Sequence, residues 1–258
     1  MLPGVMGAEI FAQVATVLCP GHVVTGLRDL EFLQPVKFHR LRPLTLHLVA
    51  VGRPGAGDGL LVDVQLSSRL QPKPGLPAQE RLHFRGCVLV ERAALPPRAV
   101  AFQPPPALTV GREAVYRVYF HGPAYQVLEG VRVEAGGAVG VLRAGLGPNL
   151  AAPDALERTF PRLLELCFQT AGIHDLVRRG AFGLPAAVGS LRLHAPPGGI
   201  SGPCFAEVRP LPGEGFDADV VDAEGHVFLE LSGYRTVEVP APASAEELRR
   251  AATAGADA

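Results

Sequence analysis

The sequence predicts an α+β fold in which two long helices are each wrapped by a curled antiparallel sheet. Three observations carry this. Two segments read clearly as long helices, almost everything else reads as strand, and the order helix, strand ending at proline, further strands occurs twice. The first helix opens at Leu2-Pro3-Gly4 and runs to about Leu18. Proline is tolerated near a helix start because its missing N–H would be unpaired there anyway. Cys19-Pro20-Gly21 is a legible stop. The second helix opens near Phe160-Pro161 and runs to about Arg179, ending at Gly180. Leu163, Leu164, Cys167, Phe168 and Ala171 supply its apolar face at helical spacing.

The strands are the β-rich stretches Leu44 to Val51, Leu60 to Leu66, Arg81 to Val90, Val131 to Ala144, Cys204 to Val208 and Phe228 to Val237, several of them alternating and separated by Gly- and Pro-containing turns. Asp217 and Asp219 are expected to alternate on a strand near the surface. Residues Leu95 to Leu108 carry three consecutive prolines, which cannot serve a central strand, and read as a linker. After the first helix comes Leu30-Glu31-Phe32-Leu33-Gln34-Pro35, and after the second Leu191-Arg192-Leu193-His194-Ala195-Pro196. One long helix wrapped by a curled antiparallel sheet is the hot-dog arrangement, and two in tandem make a double hot dog. The expected organisation is a first unit over 1–94, a Pro-rich linker over 95–110, a second unit over 111–240 and a flexible tail over 241–258. The stretch from Arg112 to Phe160, expected to include a strand ending in Tyr119-Phe120-His121-Gly122-Pro123, has no counterpart before Met1. The first unit is therefore expected to lack its opening strand.

Composition narrows the function. Apolar residues make up 48% of the 258, so a sizeable core can be buried, while 19% are charged and the formal net charge is -1. That balance gives no electrostatic reason to expect nucleic acid or an anionic membrane surface as a partner. No apolar run approaches the ~20 residues of a membrane helix. The opening residues lack a basic region and carry Glu9, which reads as an amphipathic helix and not as a signal peptide. Cys19, Cys87, Cys167 and Cys204 form no CxxC pair, so buried free thiols in a reducing cytoplasm are expected. The histidines show no metal-ligand spacing, and no phosphate-binding or nucleophile-elbow motif occurs. No metal and no cofactor is expected.

Three segments together carry a resemblance. Leu2-Pro3-Gly4-Val5-Met6-Gly7, Tyr119-Phe120-His121-Gly122-Pro123-Ala124-Tyr125-Gln126 and Pro161-Arg162-Leu163-Leu164-Glu165-Leu166-Cys167-Phe168-Gln169 stand in this order and at this spacing. They resemble, respectively, the end of the His-x3-Gly-x4-Pro signature, the HGPxFQ segment and the acid-bearing helix of the dehydratase domains of polyketide and polyunsaturated-fatty-acid synthases. Pro3 matches the last proline of the signature, whose His and Gly would fall upstream of Met1. Leu184-Pro185 and the Asp222-Ala223-Glu224-Gly225 turn also fit. The resemblance runs from Leu2 to about Val239. The sequence departs from the family in holding Glu165 where Asp is usual and in not containing the general-base His.

The resemblance implies elimination of water from a 3-hydroxyacyl thioester held on the phosphopantetheine arm of an acyl carrier protein. That needs a base for the proton beside the thioester carbonyl and an acid for the departing hydroxyl, and a carboxyl serves as the acid only if it holds a proton near neutral pH. Glu165 is the candidate acid and Gln169, four residues on and so on the same face, its orienter. Pro3 and Gly4 start a helix whose free N–H groups and dipole can polarise the thioester carbonyl, and Gly4 would permit close approach of substrate. His121, Gly122, Pro123 and Tyr125 are candidates for the acyl chain or the arm; His121 could stand in as base or be an ordinary hydrogen-bonded residue. His83 is expected simply to alternate on a strand. Two other readings stay open: a non-catalytic double hot dog that binds acyl chains or holds synthase domains together, and a hot-dog thioesterase or hydratase acting on coenzyme A thioesters. Expected partners are acyl carrier protein or other synthase domains, with a homodimer formed through an exposed sheet edge.

Overall fold

The computed structural model describes residues 1–38, 42–70, 77–147, 149, 156–194 and 202–254. The chain opens with helix α1 (Gly4–Leu18), followed by four strands: β1 (Val23–Phe32), β2 (Leu46–Pro54), β3 (Leu60–Leu70) and β4 (Gln79–Glu91). Two short strands, β5 (Arg98–Ala99) and β6 (Val110–Gly111), lead to a short helix α2 (Arg112–Val118) and the hairpin β7 (Leu128–Glu134) and β8 (Gly137–Leu142). Helix α3 (Pro161–Arg179) follows, then β9 (Gly183–Leu193), β10 (Phe205–Pro210), β11 (Phe216–Val221), β12 (His226–Glu238) and helix α4 (Ser244–Ala254).

The strands form one continuous sheet in the order β2-β3-β4-β1-β9-β12-β11-β10-β8-β7-β6, with β5 paired to β12. All pairings are antiparallel. The sheet curls over α1 with β1 to β4 and over α3 with β7, β8, β10, β11 and β12, so the molecule is a double hot dog. The two halves join where β1 pairs β9, Gly26 standing opposite Arg192 and Glu31 opposite Ala187. Gly26 is required there, since a Cβ would run into the Leu191 carbonyl oxygen. Asp29, with a positive φ of 53°, takes up the bulge between Arg28 and Glu31 that bends β1 around α1.

The two long helices, α1 and α3, sit where periodicity and punctuation put them. Pro3 is the N-cap of α1 and Cys19 its C-cap. Gly180 caps α3 at φ 70°, the left-handed conformation that favours glycine. The core forms between helix and sheet: Val5, Ala8, Phe11, Ala12 and Ala15 of α1 and Leu164, Leu166, Cys167 and Ile173 of α3 are fully buried.

Several expectations are corrected. The expected strand ending in Tyr119 to Pro123 is the helix α2 and an irregular segment with a single 3-10 turn, Pro123–Tyr125. Val115 and Val118, three apart, bury one side of a helical turn there, which outweighs their preference for strands. The stretch Val131 to Ala144 is part of a hairpin, because the turn between Glu134 and Gly137 breaks it. Asp219 is not near the surface: it is buried and paired with Arg98 at 2.8 Å and Arg209 at 2.6 Å. Residues 241–258, expected as a flexible tail, contain α4, whose Ala245, Leu248 and Ala252 are buried. His83 is also buried, bonded to Ser68 at 2.8 Å and to the Gln34 carbonyl at 3.1 Å. The Ala195-Pro196 end of the expected second strand lies outside the described residues.

Candidate active site

A cavity of about 460 Å³ opens between the start of α1, the segment after α2, the middle of α3 and the strands β9 and β12. All eight residues singled out in the sequence line it: Pro3, Gly4, His121, Gly122, Pro123, Tyr125, Glu165 and Gln169. They come from three separate parts of the chain, and the double hot dog brings them together.

Glu165 is 5% exposed, which rules out a solvated edge of the helix. Its orientation is set by a chain of hydrogen bonds starting in the backbone. The Leu128 N–H donates to the Tyr116 hydroxyl at 2.7 Å. With its acceptor side occupied, that hydroxyl donates to Gln169 Oε1 at 2.9 Å. The Gln169 amide is thereby fixed with its NH2 pointing away from Tyr116. It donates to the Tyr125 carbonyl at 2.8 Å and to Glu165 Oε1 at 2.9 Å. Gln169 thus positions Glu165 and is itself positioned by α2 and β7.

His121 meets Glu165 from the other side, its Nε2 3.0 Å from Glu165 Oε1. The ring stacks on Phe120, with centroids 5.4 Å apart and planes 8° from parallel, and meets the Tyr119 ring edge-on at 5.3 Å. The backbone carbonyl of His121 accepts from Gln126 Nε2 at 3.1 Å, holding the turn. Burial raises the Tyr119, Tyr125 and Tyr234 hydroxyls well above their usual range, so the phenols in this wall stay neutral.

At the opposite wall α1 presents its N-terminus. Pro3 provides no side-chain cap and the first turn holds no acidic residue, leaving its dipole unneutralised by a carboxylate. Gly4 lines the cavity and also has a packing reason to be glycine. A Cβ there would lie 2.8 Å from the Phe32 ring, so glycine lets helix and strand close together.

Part of the chain matches a family model. Residues 96–246, more than half of the sequence, match the one described as the polyketide synthase dehydratase N-terminal domain. The chain belongs to the polyketide synthase dehydratase family. Solved structures with the same fold include the dehydratase domain from the CurF module of curacin polyketide synthase, with a TM-score of 0.73 at 18% identity, covering 92% of this chain and 84% of that one. A trans-AT polyketide synthase dehydratase domain from Brevibacillus brevis gives a TM-score of 0.69 at 18% identity, covering 93% and 86%. The dehydratase domain of RzxB from Pseudomonas fluorescens gives 0.67 at 21%, covering 93% and 86%. No curated protein matches the chain.

In this member of the dehydratase family the cavity is also lined by residues that the sequence reading did not assign to the site. Phe168, Phe182, Leu184 and Tyr234 form its apolar wall. Phe168 stands three positions from Glu165 on α3, a signal legible in principle. Tyr234 stacks on Phe168 at 4.2 Å from the far strand β12, which no local pattern announces. Glu9, away from the cavity lining, is a carboxylate whose role the sequence did not show. It is 2% exposed and accepts the N–H groups of Arg158 and Thr159, each at 2.9 Å, and the Thr159 hydroxyl at 2.8 Å. Gln13 donates to it at 2.6 Å. Glu9 therefore grips the backbone just before Phe160, which holds a positive φ of 50° as the N-cap of α3. Through that grip α1 sets where α3, and so Glu165, begins.

Among the described residues one group could hold a metal ion, Asp222, Glu224 and His226 in the turn after β11. None of them lines the cavity, and Asp222 already bonds the His226 imidazole at 2.9 Å.

Proposed function

We propose that this chain eliminates water from 3-hydroxyacyl thioesters in polyketide or fatty acid synthesis, the acyl group being held on the phosphopantetheine arm of an acyl carrier protein. One observation carries the reading: in a chain of the dehydratase family, a buried carboxyl group, Glu165, is held in orientation by Gln169 on an apolar cavity of about 460 Å³. Such a volume is the size of an ordinary small-molecule site. Glu165 donates the proton to the departing hydroxyl. The first turn of α1 receives the thioester carbonyl and stabilises the negative charge that develops there. Gly122, Pro123 and Tyr125 border the acyl chain and the arm. The reaction draws on no metal or redox cofactor. The partners are carrier protein and neighbouring synthase domains, in the cytoplasm, and a second copy of the chain pairs through the outer edge of β2.

The test is Glu165→Gln, with a 3-hydroxyhexanoyl group on carrier protein as substrate. Water loss should fall by about 100-fold or more while the melting temperature is retained. Full activity in this variant would sink the assignment. Hydrolysis of coenzyme A thioesters without water loss would overturn the reaction class in favour of a thioesterase.

A further inference from the structure

We propose that the Tyr234 hydroxyl is a specificity-determining contact: it hydrogen-bonds an oxygen that the acyl chain carries beyond C3, so the favoured substrates are 3-hydroxyacyl thioesters with a further hydroxyl or carbonyl group. This rests on the dehydratase reading above and names the substrate class within it.

A local departure from strand alternation aims this residue. Along β12, Leu229 and Leu231 are buried on one face, and strict alternation would place Gly233 there next and turn Tyr234 away. A bulge resets the phase. Ala218 pairs Leu231 and Phe216 pairs Tyr234, so Ser232 and Gly233 stand opposite the single residue Asp217. Gly233 takes a positive φ of 65°, and its N–H donates to Asp217 Oδ1 at 2.8 Å. Tyr234 is thereby turned inward onto the cavity wall, 2% exposed. Its ring lies 4.2 Å from that of Phe168 with planes 4° apart, and Phe32 meets Phe168 edge-on at 6.0 Å. Phe168 stands three positions from Glu165, a rise of ~5 Å along α3. Tyr234 is thus held about one helical turn along α3 from the acid.

An unpartnered polar group by itself marks no site: buried His174, off the cavity, has both ring nitrogens without partners. Tyr234 differs in lying on the cavity with its ring held by a stack. The other phenols of the cavity are engaged elsewhere. Tyr119 donates its hydroxyl to the Gln169 carbonyl at 3.1 Å, and the Tyr125 hydroxyl is sealed off beside Asn149. The Tyr234 hydroxyl has no hydrogen-bond partner among the described residues. Burial keeps it neutral, so it can donate as well as accept. The side chains around it, Phe168, Phe182 and Leu184, present nothing polar. A plain hydrocarbon chain laid against this wall leaves the hydroxyl unpaired, whereas a chain with an oxygen there pairs it. A hydrogen-bonding group in an apolar wall selects against the substrate that lacks the matching oxygen. In a chain built from two-carbon units the oxygens fall on odd-numbered carbons, so C5 and C7 are the positions to probe.

Binding tests the contact without requiring turnover. The probes are amide analogues of 3-hydroxyoctanoyl-pantetheine, in which nitrogen replaces the thioester sulfur: one plain, one with a further hydroxyl on C5 and one with it on C7. Titrated calorimetrically, the wild-type protein should bind one of the two hydroxylated analogues about 10-fold more tightly than the plain one. Tyr234→Phe keeps the ring and its stacking, and should bring that ratio to about one with the melting temperature retained. Equal affinity of the wild type for all three overturns the proposal, whether or not the variant folds, and so does a ratio that survives in Tyr234→Phe. Turnover of the corresponding octanoyl groups on carrier protein tests the underlying reading separately, and kcat/KM should show the same preference. Water loss with equal kcat/KM for all three overturns the specificity role alone. Release of no water from any of them overturns the dehydratase reading, and the binding ratio still decides the contact.

Discussion

The two halves of the molecule follow one plan and complete it differently. Strands β1-β4-β3-β2 run around α1 in the same order as β9-β12-β11-β10 around α3. In the second half the outer edge of β10 is bonded to β8, and β8 to β7. In the first half the corresponding edge, that of β2, pairs with no further strand among the described residues. The consequence is visible in burial. On the inward face of β2, Leu48, paired with the buried Leu66, is 40% exposed, whereas Ala206 and Val208 on the inward face of β10 are buried. The carboxylates differ in parallel. Glu9 of α1 is saturated by donors from the backbone and hydroxyl ahead of α3. Glu165 of α3 meets Gln169 and His121 on a cavity wall. A buried carboxylate whose oxygens are all engaged builds structure, and one left facing a cavity is available for chemistry.

Exchanging the two carboxylates for amides puts the largest effects on this contrast. Glu165→Gln should remove activity and leave stability within about 1 kcal/mol, since the amide keeps shape and hydrogen bonding. Glu9→Gln should do the reverse at first hand. Its NH2 would face the N–H groups of Arg158 and Thr159, so unfolding in urea should show a loss of about 3 kcal/mol. Equal stability of the two variants would break the contrast. Next comes the open edge. Val49→Lys together with Val51→Lys should reduce self-association in sedimentation while changing stability by less than about 0.5 kcal/mol. An unchanged monomer–dimer balance would exclude β2 as the contact.

The smallest effect tests a charge remote from both helices. Burial works to raise the Asp222 carboxyl, but bonds from the His226 side chain and backbone and the Glu224 N–H hold it below its usual value of 3.8. A lowered folded value means that this stabilisation is present above pH 3.8 and is lost as pH falls through the folded value. Asp222→Asn should remove that acid-side loss. Its size should stay under about 1 kcal/mol and shrink with salt, because His226 is open to solvent.

How much was legible depended on whether the cause was local. Both long helices were, because Pro3, Cys19-Pro20-Gly21, Pro161 and Gly180 punctuate them and their apolar residues repeat at helical spacing. Helix α2 was not. Val115, Tyr116 and Val118 favour a strand, and what they gain as a helix is burial against the core and a tyrosine hydroxyl aimed at Gln169. Asp219 read as a surface residue because alternation cannot show that Arg98 and Arg209 arrive from other strands.

What the sequence determined by itself is the two long helices, most of the strands and the helix positions of Glu165 and Gln169, for these follow from period, turn chemistry and spacing along one segment. The tertiary structure decided that His121 meets Glu165, that Tyr116 turns the Gln169 amide, and that Glu9 fixes the approach to α3. Each of these joins residues brought near by the curl of one sheet over two helices, and a contact between distant parts of a chain leaves no periodic trace in either of them.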